Sequence, residues 1–215
     1  MRVQRKLMLY ADREDAGRRL AEELRGRVTS DAVILGLPRG GVPVAAEVAA
    51  QLGARLDVII VRKLGLPSQP ELGLGAVGEN GVRVINQSLV DSTGISADEL
   101  AAIEQRERAE VTLRARRFRV DRPAVALAGH PVVLVDDGIA TGSTMLAACL
   151  VARAREAERV VVAVPVAARA GLSRVRAVAD EVVCPHTPRL FVGVGQWYHD
   201  FRQTTDQEVI AVLAQ

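Results

Sequence analysis

Short apolar runs that alternate with helical segments constrain the fold of this chain more than any other feature. Each run has four to eight residues, the length of a strand that is buried on both faces. A strand–helix–strand repeat implies a parallel sheet with right-handed crossovers and helices packed on its faces. The sequence therefore predicts an α/β fold with a parallel, doubly wound sheet. The predicted strands are residues 32–37, 56–63, 131–136, 159–166 and 181–184.

The segments between these runs have the spacing and the end signals of helices. Ser96 and Glu99 have the spacing of a capping box, which predicts the start of a long helix. Gly53 follows an alanine-rich segment and predicts a helix end. The predicted helices are residues 12–27, 42–53 and 96–119, and two more that begin at Ser143 and Ala167.

The alternation breaks at residues 64–81, LGLPSQPELGLGAVGENG. This segment is rich in glycine, has two prolines and fits no regular element. Long loops inside compact domains are usually functional or disordered. Since no linker divides the chain, we expect residues 1–215 to form a single domain with residues 64–122 as an embellishment.

Composition and charge exclude several classes of protein. The net charge of +2 does not by itself argue for nucleic acid, and the two cysteines lack the spacing of a zinc site or a disulfide framework. The chain has no apolar run of membrane-spanning length and no signal peptide at its start, so we expect a cytoplasmic protein without membrane contact. Arginines are dense over residues 106–122, but acidic residues are interleaved with them. A solvated helix face is favoured there over a nucleic-acid surface.

The stretch VVLVDDGIATGSTM, residues 132–145, carries the strongest functional signal. Four apolar residues run into Asp136 and Asp137, and residues 140–144 then lead into a helix. The first N–H groups of a helix are unpaired and partly positive, so these glycine and hydroxyl residues predict a phosphate site. The carboxylates would repel the phosphate and must serve a neighbouring group that donates hydrogen bonds or carries a cation. A ribose diol and a magnesium ion both meet that demand.

This stretch resembles the phosphoribosyl-pyrophosphate (PRPP) motif of the type I phosphoribosyltransferases. LPRGGVPVA, residues 37–45, is similar to their pyrophosphate loop. Residues 61–81 resemble the mobile catalytic loop of a bacterial subgroup, some of whose members are fused to hydrolase domains. The resemblance implies a type I phosphoribosyltransferase-like fold with a mobile loop at 64–81, a helical insertion at 82–122 and a small C-terminal hood at 185–215.

The resemblance also implies a reaction and a set of site residues. The implied reaction is Mg²⁺-dependent transfer of the 5-phosphoribosyl group from PRPP to a nitrogenous base, with release of pyrophosphate. Asp136 and Asp137 would orient Mg²⁺ mostly through ribose hydroxyls or water, and the Pro38–Arg39 peptide is expected to be cis. The catalytic candidates are Arg39, Lys63 and Glu71, and the last has a solvated loop glutamate as its alternative. The substrate-binding candidates are Pro38, Arg39, Gly40, Gly41, Arg62, Asp136, Asp137, Ala140, Thr141, Gly142, Ser143, Thr144 and Trp197.

The base and the partners are less constrained. Ala140 stands where the hypoxanthine–guanine class has an aspartate, so a 6-oxopurine is disfavoured. Trp197 and Tyr198 could stack on a base, or they could anchor the hood by packing. The expected partners are PRPP and a small base; a homodimer is an open alternative, and nucleic acid is not expected. Two other functions stay open, namely a PRPP-sensing regulator that uses residues 114–122 on nucleic acid and a phosphoribose hydrolase.

Overall fold

The computed structural model describes residues 8–119 and 122–214, except for the side chain of Glu71. Seven helices and eight strands are described there, and two short 3₁₀ turns, at Glu79–Gly81 and Val194–Trp197, accompany them. The elements are, in chain order, α1 (Arg13–Leu24), β1 (Val33–Gly36), α2 (Gly41–Leu52), β2 (Arg55–Val58), β3 (Val61–Leu66), β4 (Gln69–Gly78), β5 (Arg83–Ile85), α3 (Gln87–Thr93), α4 (Ala97–Phe118), β6 (Pro131–Val135), α5 (Ser143–Ala154), β7 (Arg159–Ala163), α6 (Arg169–Arg176), β8 (Glu181–Val183) and α7 (Asp206–Leu213).

A parallel sheet of five strands, in the order β2–β1–β6–β7–β8, forms the centre of the fold. Alternate residues of its strands face opposite sides, as the period of two requires. Val33 and Leu134 face α5 and α6, whereas Ile34 and Val133 face α1 and α2. The predicted α/β fold with a doubly wound parallel sheet is confirmed. That residues 1–215 form one domain stays a prediction.

The predicted strand at 56–63 is wrong as a single element. β2 ends at Val58 and pairs with β1, while β3 begins at Val61 and pairs with β4 in another sheet. Ile59 and Ile60 between them are both buried, and they belong to different core clusters. The apolar run is continuous because the chain passes directly from one core cluster to another. The point at which the chain leaves the first sheet is therefore not visible in the apolar pattern.

The prediction that residues 64–81 lack regular structure is also wrong. β3 and β4 form an antiparallel hairpin, and β5 adds a third strand to it. The glycines here permit close approach of backbones. A Cβ on Gly75 would lie 2.2 Å from the carbonyl oxygen of Val84, and one on Gly65 would lie 2.8 Å from that of Pro70. Glycine therefore serves strand contacts here and does not mark a loop.

Helix α4 is the longest element of the predicted insertion at residues 82–122, and its predicted capping box between Ser96 and Glu99 is confirmed. Leu100, Ile103 and Phe118 bury its apolar face against β3, β4 and α7. Beyond its last turn, the side chain of Arg119 is only 10% exposed. The guanidinium group donates to both carboxylate oxygens of Asp57, at 2.8 and 3.0 Å, and from Nη2 to Glu79 Oε2 at 2.9 Å.

Most of the basic stretch is ion-paired on the surface of α4. The pairs are Arg106–Glu107, Arg108–Glu104, Arg114–Glu110 and Arg117–Asp206. The prediction of a solvated helix face is wrong for two arginines. Arg119 is paired with Asp57 and Glu79, and the guanidinium group of Arg122 donates to the carbonyl oxygens of Leu56 and Leu213. These two arginines fasten the insertion to the edge of the sheet.

The C-terminal region packs against the beginning of the described chain. Tyr10 and Tyr198 form an isolated parallel bridge and are both buried. The Tyr10 hydroxyl donates to the Pro165 carbonyl oxygen at 3.0 Å, and the Tyr198 hydroxyl donates to the Asp137 carbonyl oxygen at 2.6 Å. Among the helices of the described residues, none has both the length and the apolar composition to cross a membrane.

Candidate active site

Two loops lie side by side where the neighbouring strands β1 and β6 end. The amide of Leu37 donates to the Val135 carbonyl oxygen at 2.9 Å and ties the first loop to the second strand. A Cβ on Gly41 would lie 2.5 Å from the same carbonyl oxygen, and one on Gly40 would lie 2.2 Å from Asp137 Oδ2. Only glycine allows this approach, so residues 38–41 and the acidic pair form one continuous surface.

The second loop ends in a helix start that can receive an anion. Gly142, the residue before α5, has a left-handed φ of 81° and no side chain with which to cap the helix, and Thr141 Oγ1 accepts the Ser143 amide at 3.4 Å. Within the described residues, no acceptor is bonded to the amides of Thr144 and Met145. The Thr141 hydroxyl donates to Ser143 Oγ at 3.2 Å, so the hydroxyl groups gather at this helix start. Amides, hydroxyls and the helix dipole together suit a phosphate group.

The two aspartates differ in their partners. Asp136 Oδ1 accepts the Asp137 amide at 2.9 Å. Asp137 Oδ2 accepts from Arg13 Nε at 2.9 Å and from Arg13 Nη2 at 2.8 Å. The Arg13 guanidinium group also stacks 4.0 Å from the ring centroid of Phe201 and donates to the Arg202 carbonyl oxygen. Asp137 is thus held in place by an arginine that the sequence did not suggest.

Both carboxyl groups have raised pKa values. Removal from water is the main cause for Asp136, and the negative Asp137 beside it adds to the shift, so its pKa lies well above the usual 3.8. Removal from water also raises the pKa of Asp137, while Arg13 opposes the shift. The pair is therefore poised to accept a ligand that donates hydrogen bonds or carries a cation to it.

The first loop presents Arg39 to a cavity of about 510 Å³. The Pro38–Arg39 peptide is cis, as the resemblance implies. Arg39 Nη1 lies 3.6 Å from Asp206 Oδ1 on α7. Asp137 lines the same cavity, so the structure brings Arg39 and Asp137 together.

Among the described residues, Arg62, Lys63 and Trp197 do not line the cavity that Arg39 lines. Arg62 donates from Nε to Glu107 on α4 at 2.7 Å, and no described contact joins it to either loop. Lys63 lines a groove of about 900 Å³ together with Ser143. The side chain of Glu71 lies outside the described part of the chain. Trp197 packs in the cluster of Tyr10 and Tyr198, and its carbonyl oxygen accepts the amides of Leu9 and Tyr10, which favours hood anchoring.

Comparison with known proteins agrees with this arrangement. The family model described as "Phosphoribosyl transferase domain" matches residues 8–202. The chain belongs to the phosphoribosyl transferase family. The sheet, the two loops and the acidic pair all lie within the matched part of this phosphoribosyl transferase domain.

Several relatives of this phosphoribosyl transferase domain are known. Two Mycobacterium tuberculosis proteins named "Putative phosphoribosyl transferase", from strains CDC 1551 and H37Rv, are each 53% identical over 207 residues. The match covers 96% of this chain and 47% of each relative, so the chain spans about half the length of the curated relatives it matches.

Solved structures extend the comparison. TT1426 from Thermus thermophilus is similar with a TM-score of 0.91 at 46% identity, over 96% of this chain and 98% of that one. The APRTase from Giardia lamblia complexed with 9-deazaadenine has a TM-score of 0.50 at 13% identity, over 83% and 80% of the two chains. At that identity the likeness shows the fold alone, which is that of the type I phosphoribosyltransferases.

Two residues near the site of this phosphoribosyl transferase domain were missed from the sequence. Arg13 pairs with Asp137, and Asp206 pairs with Arg39. Asp137 lies 124 positions from Arg13 in the chain, and Arg39 lies more than a hundred positions from Asp206. Both Arg13 and Asp206 lie in the first turns of ordinary helices. No local pattern marks them.

Proposed function

We propose that this chain is a Mg²⁺-dependent phosphoribosyltransferase domain. It transfers the 5-phosphoribosyl group of PRPP to a nitrogenous base and releases pyrophosphate. The observation that carries this proposal is the contact between the two loops, where Gly40 lies against Asp137 without room for a side chain. With this contact, the two proposed anion-binding loops flank a pair of carboxylates. PRPP has the complementary arrangement, because its phosphate and pyrophosphate groups flank a ribose diol that can donate hydrogen bonds to carboxylates.

Each part of PRPP has a partner in this arrangement. The 5′-phosphate binds the amides and hydroxyls at residues 140–144, and the ribose diol donates to Asp136 and Asp137. The pyrophosphate group binds the amides of residues 38–41 and the Arg39 guanidinium group. In the reaction the bond from C1 to the pyrophosphate oxygen breaks, a bond from C1 to a base nitrogen forms, and that nitrogen loses its proton. Catalysis then rests on positioning and on stabilising the departing anion.

The acidic pair fits Mg²⁺ only in combination with substrate oxygens. Among the described residues, no three His, Cys, Asp or Glu side chains gather as a metal cluster. Mg²⁺ is commonly bound by one or two carboxylates together with substrate phosphates and water, which matches Asp136 and Asp137. When bound, the ion neutralises charge on the pyrophosphate group.

The hairpin of β3 and β4 supplies the remaining catalytic candidates. Lys63 lines a groove with Ser143 of the phosphate loop, which supports a role for its ammonium group near the substrate. Arg62 forms an ion pair with Glu107 on α4, which ties the hairpin to that helix. Arg62 is therefore a weaker candidate for anion binding. Glu71 near the hairpin turn is proposed as a general acid or base, and closure of the hairpin over the site would exclude water.

The base is proposed from a single residue at the edge of the phosphate loop. Ala140 is exposed and has no group that exchanges a proton, which disfavours a 6-oxopurine. An adenine-type base is compatible with this alanine. A homodimer and a cytoplasmic location stay predictions.

Calorimetric titration with ribose 5-phosphate tests the binding site, and pyrophosphate release from PRPP and Mg²⁺ with a panel of bases tests the reaction. We expect ribose 5-phosphate to bind and one base of the panel to release pyrophosphate. PRPP consumption without any base would indicate a hydrolase instead. Absence of ribose 5-phosphate binding would refute the proposed site.

Two variants separate the halves of the site. Asp136→Asn should weaken ribose 5-phosphate binding by about tenfold, the scale of a charge-assisted hydrogen bond, and leave inorganic phosphate binding unchanged. Thr144→Val should weaken both ligands. Thr112→Val, an exposed threonine on α4, is the matched control. Equal loss of both ligands in Asp136→Asn would show that this aspartate is structural.

A further inference from the structure

The cavity beside Arg39 has a second wall that comes from the helical insertion. Arg114 and Arg117 on α4 line it together with Arg39 and Asp137. Positions 114 and 117 are three residues apart, so both side chains lie on the same face of the helix. The face that they share is turned toward the end of the first loop.

The charges around this cavity are unevenly matched. Arg39 Nη1 lies 3.6 Å from Asp206 Oδ1, and Arg117 Nη1 donates to Oδ2 of the same carboxylate. Two guanidinium groups therefore share one carboxylate. Arg114 has only a 3.9 Å contact with Glu110, and Arg13 is already paired with Asp137. In the group of Arg39, Arg117 and Asp206, two positive charges therefore face one negative charge, which leaves a net charge of about +1 among these described residues.

The side chains of this group can rearrange. Arg39 and Arg117 are 38% and 50% exposed, so their guanidinium groups are not fixed by packing. The backbone beneath Arg117 is fixed, because Arg119, two residues further on, is buried between Asp57 and Glu79. A mobile cation on a rigid support suits a ligand that arrives with several negative oxygens.

We propose that Arg117 and Arg114 form the outer wall of the pyrophosphate site. In the free protein Asp206 holds Arg39 and Arg117 as an internal counter-ion, and the pyrophosphate group of the substrate replaces it. The inference rests on the proposed function, since it assigns the ligand of the cavity beside residues 38–41. The insertion then contributes directly to substrate binding, and its arginines serve a small phosphorylated ligand.

Calorimetry with inorganic pyrophosphate tests this wall, with Mg²⁺ and saturating ribose 5-phosphate present so that the 5′-phosphate site is occupied. Arg117→Gln should weaken pyrophosphate binding by about tenfold, as expected for the loss of a charge-assisted contact, and Arg114→Gln should weaken it by a smaller factor. Asp206→Asn should strengthen binding by several-fold, because the competing carboxylate is removed. Affinity for ribose 5-phosphate should stay unchanged in all three variants.

Arg116→Gln is the matched control, because it removes the same charge from the same helix, at an exposed side chain that lines a different cavity. If Arg117→Gln and Arg114→Gln bound pyrophosphate as tightly as Arg116→Gln does, the assignment of the outer wall to Arg117 and Arg114 would be refuted. Unchanged or weaker pyrophosphate binding in Asp206→Asn would refute the role of Asp206 as a counter-ion. Wild-type binding of both ligands with no change of pyrophosphate affinity in any of the three variants would refute this inference alone. A wild-type protein that binds ribose 5-phosphate but not pyrophosphate would also refute the assignment of pyrophosphate to residues 38–41. A wild-type protein that binds neither ligand would refute the proposed function.

Discussion

The ion pair between Arg13 and Asp137 leads to a prediction about the stability of the fold. We expect Arg13→Gln to leave the Asp137 carboxylate without its cationic partner in a place where it has little water. The side chains of Arg13 and Asp137 are only 12% and 14% exposed. The glutamine amide can donate hydrogen bonds but cannot supply the charge or the two-pronged geometry of a guanidinium group.

The size of the effect follows from burial. Breaking a fully buried ion pair by removing one partner costs about 3–5 kcal/mol, and an exposed pair contributes about 0–1 kcal/mol. Since both side chains keep some access to water, we expect a loss of about 2–4 kcal/mol in the free energy of unfolding. Part of this loss comes from the stacking of Arg13 on Phe201, which glutamine does not reproduce.

Urea denaturation measures this loss, and Arg18→Gln is the matched control. Arg18 lies on the same helix, is 47% exposed and has only long contacts with Glu14 and Glu47, at 3.9 and 3.5 Å. The double variant Arg13→Gln/Asp137→Asn should recover stability relative to the single variant, because no unpaired charge remains. If Arg13→Gln lost no more stability than Arg18→Gln, the pair would not hold the acidic loop in place.

Two further predictions concern the buried network and the acidic pair. Arg119→Met should lower the free energy of unfolding by about 3–5 kcal/mol in urea denaturation, since Asp57 and Glu79 become buried carboxylates without a cation. A loss below about 1 kcal/mol would mean that water reaches them. Because the pKa of Asp136 is raised above 3.8, lowering the pH toward that raised pKa should protonate it and weaken ribose 5-phosphate binding in calorimetry. The Asp136→Asn variant should show only the weaker pH dependence of the phosphate itself, and equal profiles would contradict the assignment.

The parallel sheet and the loops at its edge could be predicted because their signals are local. Buried strands have continuous apolar runs, and the acidic pair, the glycine and the hydroxyl residues stand in order within residues 132–145. The capping box at Ser96 is equally local and is confirmed. Each of these patterns has its physical reason within a few residues of chain.

The features that sequence reasoning missed depend on distant partners. Arg119 looks like any arginine of a charged helix, and only the fold brings Asp57 and Glu79 to it. The glycines of β3 and β4 resemble loop signals because nothing local reveals the neighbouring backbone that approaches them. Gly75 is the clearest case, since the strand that requires it is β5.

The predicted insertion combines local and distant features. Its helix α4 is followed by Arg119, whose ion pair with Asp57 holds the backbone to the edge of the sheet, and Arg117 near the end of α4 lines the cavity beside residues 38–41. The arginines of residues 106–122 therefore have three different surroundings. Some form ion pairs on the surface, Arg119 pairs with Asp57, and Arg114 and Arg117 line a cavity. A charge run has no single meaning in the sequence, because the burial of each side chain is decided by the elements that pack around it.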